Sequence, residues 1–548
     1  MKHFYFFLLS ALVCLSLSAQ SKVSGDSLAA DFHYLVKQLE ATHPDPYTGF
    51  GGKVFFHKQA FDLENELRSK PHTLQEFWDK SMAFLSFIQD GHTYLFSLAP
   101  KQRQEQSYLP VGFRCIPDGL IVQSLPAAHQ DLLGSLLTGI NGKSMDELLV
   151  RTASLFACEN LYNRYSVFCR NVARKQFMQQ LLPDLEDTVC LNLRTPDGKE
   201  MTLEQHFMDN EDLRKTEKAS LPSWEGCPEE QMAYRFIDKK KEVMMFKVNS
   251  IMARDNFEYM YKYMKGDLFR QMEFYYQNAL RKEMPADTLQ AIHALPSFSG
   301  TFATMLKEMK KNRSEAAVDD LEAQNMAGLI IDLRGNSGGW TPIVLATLYQ
   351  LYGDKYLQED MDTEYYRIVS PLYMNKLEVT LEEFNKRYGT DYNFGDYTFS
   401  MEEQEDVPLD TLRRQFIDDC MSSVKEELRA QKGAPVYTPK QVFVVTDERT
   451  FSAAFHYSFM LWKMGATVVG VPSGQAPNTF MEQTLFKLPH TGIEGSISNS
   501  MQVFLPGKDK RAKTFWPDVM LTYDEYKQAG FDKQAEILFL LDKMGEGK

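Results

Sequence analysis

The sequence predicts an α/β protein of several domains, on three observations. Its 548 residues, 44% hydrophobic and 13% aromatic, are enough for two or three packed cores. Three short continuous apolar runs, "AGLIIDL" at 327–333, "QVFVVTD" at 441–447 and "ATVVGV" at 466–471, suit central strands covered on both faces of a largely parallel sheet. Apolar residues three or four apart fill much of 26–90, 257–282 and 301–325, which is helical spacing.

In chain order, residues 1–19 read as a secretory signal peptide, with Lys2, an apolar run over 4–17, and small Ser18 and Ala19 before polar chain. The run is shorter than the roughly 18 apolar residues of a membrane anchor and nothing comparable follows, so a soluble protein in the periplasm or outside the cell is expected. A lipid-modified Cys14 is the competing reading, but bulky Val13 precedes it. Residues 20–100 form a helical region, with Phe32, Leu35 and Leu39 and then Phe77, Met82, Leu85 and Ile88 at helical spacing, broken near Pro44 and Pro46. Residues 101–220 turn to short alternating runs, "LPVGFRCI", "GLIVQSL" and "LLTGINGKSMDELL", where Asn141-Gly142 suits a tight hairpin. Residues 221–548 hold strand-like "EVMMFKVNSI", the long helices and the three apolar runs. An acidic insertion over 354–440 reads as a lid or a solvated excursion.

Several function classes are disfavoured. The balance of 60 basic against 74 acidic side chains gives a net charge of −14, with no Lys/Arg block interleaved with aromatics, which argues against a nucleic-acid partner. Beyond the signal, Cys115, Cys158, Cys169, Cys190, Cys227 and Cys420 form no C-x-x-C pair, and H-E-x-x-H is absent, so spacing supports no metal site. No cofactor is expected.

Three stretches carry chemistry. "GLIIDLRGNSGGW" at 328–340 fits G-x-S-x-G and offers Ser337 as a nucleophile. In "VFVVTDERTFSAAFHYSF", Ser452 follows a strand and opens a helix, where free amides favour a developing oxyanion; a plain N-cap is the alternative. In "SFIQDGHTYLF" a helix stops at Asp90-Gly91 and His92 follows, a candidate base.

Together, "DGHT" at 90–93, "LIIDLRGNSGG" at 329–339, "TFSAA" at 450–454 and "WPDVMLT" at 516–522 resemble the serine peptidase family of the tail-specific (C-terminal processing) proteases, the tricorn core protease and interphotoreceptor retinoid-binding protein. The stretch "GSLLTGINGKSMDELL" at 134–149 is similar to the end of the family's PDZ-like region, so 101–220 is expected to be a PDZ-like module and linker. The resemblance implies a protease core of the ClpP/crotonase type over 221–548. Ser452 is then the nucleophile, with Ala453 and the Gly338-Gly339 loop supplying the oxyanion amides, and Ser337 is a bystander.

Where the tail-specific branch has a lysine base, Gln475 follows Gly474 and no lysine precedes Lys487, whereas the tricorn-like branch pairs its serine with a histidine at the position of His92. For the third member the nearest acid before Pro517-Asp518 is Asp509, with Glu494 an outside candidate. Phe455 stands where many relatives have glutamate. His456, one turn beyond Ser452, is a rival base, while His43, Asp332 and Arg334 read as structural. The expectation is an exported serine endopeptidase acting on peptides or unfolded protein segments, the PDZ-like part capturing an extended chain by strand addition. Two alternatives stand beside it: an inactive peptide- or ligand-binding protein on the same scaffold, and an esterase using Ser337 with His490.

Overall fold

The computed structural model describes residues 22–98, 107–316, 328–361, 363–400 and 407–544; the signal-peptide reading of 1–19 lies outside them. At its centre a five-stranded sheet runs in the order Thr467–Gly470, Gln441–Thr446, Gly328–Asp332, Val243–Val248 and Met232–Phe236. The first four strands are mutually parallel and Met232–Phe236 is antiparallel. The three apolar runs of the sequence supply three of those parallel strands. Successive side chains of a strand point to opposite faces, so the runs must be apolar throughout to be covered on both sides. Met244, Phe246, Leu329, Ile331 and Val444 pack against Phe298, Phe302, Ile343, Tyr457 and Leu461. Val243, Met245, Ile330 and Val445 face Ile537, Leu540 and Leu541 of the C-terminal helix Ala535–Lys543.

Helices Gly25–Thr42, Lys53–Arg68 and Leu74–Ser86 make up the N-terminal region. Ser24 caps the first, and a reciprocal Thr73–Glu76 capping box starts the third. The third helix gives way at Gln89, which takes a positive φ of 57°, so the left-handed stop expected at Gly91 falls two residues earlier. Gly91 is needed for space instead, since a Cβ there would stand 2.6 Å from the Phe451 ring.

Residues 112–220 build a separate seven-stranded sheet whose pairings are all antiparallel. Its Leu136–Ile140/Lys143–Ser144 hairpin turns through Asn141 (φ 48°) and Gly142 (φ 74°), as that dipeptide favours. Helices Met145–Leu155 and Leu161–Asn171 pack on it, placing Glu159 and Asn160 between them.

A third sheet closes over the central one. Glu494–Val503 pairs along its length with Thr479–Lys487, and also with Tyr94–Leu95 and Glu364–Ile368; Tyr397–Ser400 extends it. The acidic 354–440 stretch thus contributes two strands and several helices to the body of the protein, because hydrophobic side chains such as Ile368, Val369, Tyr373, Phe384 and Ile417 lie between its charges and are buried. Among the described residues no helix is long and apolar enough to cross a membrane.

Candidate active site

One large cleft, about 2680 Å³, lies where the three sheets meet and is lined by residues of all the regions, including His92, Gly338, Gly339 and Ser452. Ser452 sits in the turn between strand Gln441–Thr446 and helix Ala453–Lys463, with φ 52° and ψ −128°. That conformation is costly for a residue with a Cβ, on the order of 1–3 kcal/mol, and persists only where the surroundings impose it. Here they do. Phe451 N–H donates to Asn336 O at 3.0 Å, Thr450 Oγ1 to Leu333 O at 3.1 Å, and Gly335 N–H to Asp447 Oδ2 at 2.8 Å, stitching the elbow to the 333–339 loop. Ser452 occupies the N-cap position, yet its side chain makes no capping hydrogen bond, so the hydroxyl is not used up as a helix cap.

The loop facing Ser452 is shaped by its glycines. A Cβ on Gly338 (φ 106°) would fall 2.6 Å from Ser452 Cβ, and one on Gly339 (φ 144°) 2.2 Å from Ile251 O. Asn336 Nδ2 donates to Val248 O, and its Oδ1 accepts Gly338 N–H at 2.9 Å, which commits that amide. Among the described hydrogen bonds, Gly339 N–H and Ala453 N–H donate to none. These two amides, at the loop and at the helix start, are the ones free for an oxyanion.

His92 is brought to the cleft by strand pairing. Tyr94–Leu95 joins Ser496 and Gly495, while Ser496 Oγ donates to His92 O at 2.6 Å. The imidazole lies against the ring of Phe451, the residue before Ser452, at 4.8 Å between centroids. It is buried, and neither ring nitrogen completes a hydrogen bond. Its Nδ1 stands 3.9 Å from both Asp90 Oδ1 and Glu159 Oε1. Burial lowers its pKa, against the pull of the Asp90 charge.

Asp90 accepts His92 N–H at 2.8 Å, the Thr93 hydroxyl at 2.5 Å and His43 Nε2–H at 3.3 Å. Asp45 N–H occupies His43 Nδ1, which fixes the proton on Nε2. Burial alone would raise the Asp90 carboxyl, but His43 and His92 outweigh it and bring it down to about 2. In Glu159 burial and the neighbouring Asp90 charge prevail, and its pKa rises well above the ordinary value. One donor atom each from Asp90, His92 and Glu159 lies within 4.8 Å of the others, a spacing open to a cation. Both carboxylates are already engaged by N–H and O–H donors, a setting that favours orienting an imidazole over coordinating a metal.

Of the other candidates, Ser337 and Glu494 line the same cleft, whereas Asp509 and His490 do not. Asp509 caps the short turn Lys510–Ala512 and pairs with Arg511 at 2.7 Å, which lowers its pKa to about 2; it does not line the cleft. Its motif position before Pro517-Asp518 carries it away from His92, and the acids beside His92 are Asp90 and Glu159. Glu494 does line the cleft but pairs with Arg270 and Lys487. Ser337 is exposed on its loop, ahead of helix Pro342–Tyr352, while His490 is tied through its backbone to Asp31 and does not line the cleft, so the esterase pair is not brought together. Phe455 belongs to a buried aromatic cluster with Phe459, Phe504 and Phe515, a place hostile to a glutamate.

His456 is held at both nitrogens, by Thr341 Oγ1 and Gln502 Oε1 at 2.8 Å each, and burial lowers its pKa to about 4. It is a structural imidazole. Since the unfolded chain takes up this proton near pH 6.5 and the folded one only near 4, stability is full above 6.5 and falls as pH drops between the two values. The loss is on the order of 3 kcal/mol. Urea midpoints of the parent should fall over that range by clearly more than those of His456→Gln; parallel curves would refute the assignment.

Three participants had little sequence signal. Gln475, visible only as a missing lysine, is fully buried and accepts Ser452 N–H on its Oε1 at 2.5 Å. Asn336 looks like loop filler between glycines. Glu159 precedes the N-cap Asn160 and reaches the site from another region altogether.

Residues 294–498 match the model of peptidase family S41. Among solved structures, mature CPAF superposes with a TM-score of 0.54 at 14% identity, covering 96% of this chain and 99% of that one. Mature CPAF complexed with lactacystin gives 0.52 at 14%, covering 95% and 99%. At such identity the likeness is one of fold. No curated protein sequence matches the chain.

Proposed function

Starting from the match of residues 294–498 to the model of peptidase family S41, we propose that this chain is a serine endopeptidase working through Ser452 and His92. The single observation behind this reading is the elbow. Ser452 is held at positive φ between strand and helix with its hydroxyl uncapped, and it shares its cleft with a buried histidine whose ring nitrogens hold no side chain at hydrogen-bond distance.

In the cycle, His92 Nε2 takes the Ser452 hydroxyl proton as Oγ attacks a peptide carbonyl. Ala453 and Gly339 amides receive the oxyanion, and the imidazolium returns its proton to the leaving amine; water then releases the acyl group by the same steps. Ser452 and His92 are not hydrogen-bonded in the free protein, and substrate binding has to close that gap, as catalytic contacts often tighten only in the complex. Peptides or unfolded segments are the substrates, with export and strand capture by the 112–220 sheet as further parts of the proposal.

The test is covalent. A biotinylated fluorophosphonate should label the intact protein, and peptide mass spectrometry should place the adduct on Ser452. An adduct on Ser337, or none under conditions that label another serine peptidase, would count against this site.

A further inference from the structure

The catalytic pair leaves one buried group without a role. Glu159 belongs to neither loop of the pair, yet its carboxylate touches both. Its Oε1 accepts Gly91 N–H at 3.2 Å, next to His92, and its Oε2 accepts Ala476 N–H at 2.9 Å, next to the Gln475 that holds Ser452. Around it, Asn160 Nδ2 donates to Ser473 O at 3.1 Å and Asn163 Oδ1 accepts Glu159 N–H at 3.2 Å, so the start of helix Leu161–Asn171 is locked onto the loop after the nucleophile.

We propose that Glu159 is the positioning residue of this site: its carboxylate faces His92 Nδ1, turns Nε2 toward Ser452, and stabilises the imidazolium formed when Ser452 gives up its proton. This role rests on the Ser452–His92 reading. The distances alone do not choose between Glu159 and Asp90, because both lie 3.9 Å from Nδ1. What separates them is how their charges are met. Asp90 already holds His43 Nε2–H, the Thr93 hydroxyl and the His92 backbone amide, and its low pKa reflects that support. The Glu159 side chain is only 1% exposed, has no lysine or arginine within ion-pair distance among the described residues, and has His92 as its one potential cation. Protonation of His92 therefore relieves Glu159 far more than it relieves Asp90, and that difference arises only as the transition state is approached. Once ionised, a carboxylate beside Nδ1 also selects the tautomer with Nδ1–H, leaving Nε2 unprotonated to accept from Ser452.

The groups facing His92 are Asp90 and Glu159 on the Nδ1 side, His456 from the elbow helix, the Phe451 ring, and the carbonyl of Phe480. His456 is neutral above its low pKa; burial lowers the pKa of His92, while the Asp90 charge and the Phe480 carbonyl pull the other way. The acidic limb of kcat/KM reports the proton shared by His92 and Glu159. Removing the Glu159 charge makes that proton harder to bind and moves the limb to lower pH.

The experiment compares the full-length parent with Glu159→Gln, Glu159→Asp and His92→Ala on an unstructured fluorogenic peptide, with thermal unfolding recorded for each. Glu159→Gln should lower kcat about 100-fold with KM within a few-fold of the parent. Its acidic limb should lie at lower pH than the parent's, and Glu159→Asp should fall between the two. Parent-like kcat, or a loss with the limb unmoved, would overturn the positioning role while His92→Ala stayed inactive. An active His92→Ala would instead overturn the catalytic pair itself. Should Glu159→Gln fail to fold, the limb of Glu159→Asp decides. Inactivation of the parent by a chelator, reversed by a divalent cation, would make Asp90, His92 and Glu159 a metal site and overturn the proposal equally.

Discussion

Ser452→Ala is expected to lower kcat on unstructured peptides by about 10⁴-fold or more, with KM and the thermal midpoint close to those of the parent. Alanine keeps the Cβ that the elbow already tolerates, and the hydrogen bond from the residue 452 N–H to Gln475 survives, so the fold has no reason to change. Only the attacking oxygen goes. His92→Ala should cost a similar factor, and the double variant little more than either, because nucleophile and base act on one step and their losses do not add. Ser337→Ala should stay within a few-fold, since Ser337 is an exposed residue on a loop whose contribution is backbone. Short-chain esters assayed in parallel separate the alternatives. Hydrolysis that survives Ser452→Ala and disappears in Ser337→Ala would install the esterase, and a parent inert on peptides and esters would point to a binding protein.

The parts of this site written in local sequence were readable, and the parts made by long-range packing were not. A run such as "AGLIIDL" is apolar at every position only if both faces of the strand are covered, so its place in the middle of a parallel sheet follows from composition. Asn141-Gly142 fixes a hairpin for equally local reasons. A Ser at the junction of strand and helix can be singled out, although whether its hydroxyl caps the helix depends on a backbone angle that spacing does not encode.

Asp509 illustrates the opposite case. Motif order ranks it as the acid nearest a Pro-Asp pair, but order says nothing about which region leans over His92. Glu159 stands 67 positions from His92 and 293 from Ser452 (by numbering), in a segment whose only local mark is the N-cap after it. The acidic 354–440 stretch misleads for a related reason. Its mean composition is that of a solvated loop, while the residues that decide its fate are a sparse set of buried hydrophobics paired with distant strands.

The largest expected effect on stability comes from the base of the 333–339 loop. Arg334 donates from Nη2 to Asp332 at 2.9 Å, from Nη1 to Glu536 at 2.8 Å, and from Nη1 to Lys533 O at 2.9 Å. Lys247 and Arg114 complete the set at 2.8 and 2.7 Å, and the Tyr526 hydroxyl donates to Glu536 at 2.7 Å. Asp332 and Glu536 are buried, and although burial opposes it, the cations hold both below the ordinary carboxylate range. Arg334→Ala leaves each carboxylate with one cation in place of two and strips the loop of its anchor to the C-terminal helix. Removing one partner of a buried pair typically costs about 3–5 kcal/mol, mostly as the penalty on the charge left behind.

Arg334→Lys should fall between parent and alanine, because an ammonium cannot span both carboxylates as a guanidinium does. Urea midpoints should rank parent, lysine, alanine. An alanine variant within about 1 kcal/mol of the parent would show that Lys247 and Arg114 suffice. Activity offers a separate readout of the same anchor. On the proposed oxyanion role of Gly339, whose loop Arg334 ties down, both variants should lose kcat well below their unfolding temperatures, and the loss should follow the same ranking as the midpoints.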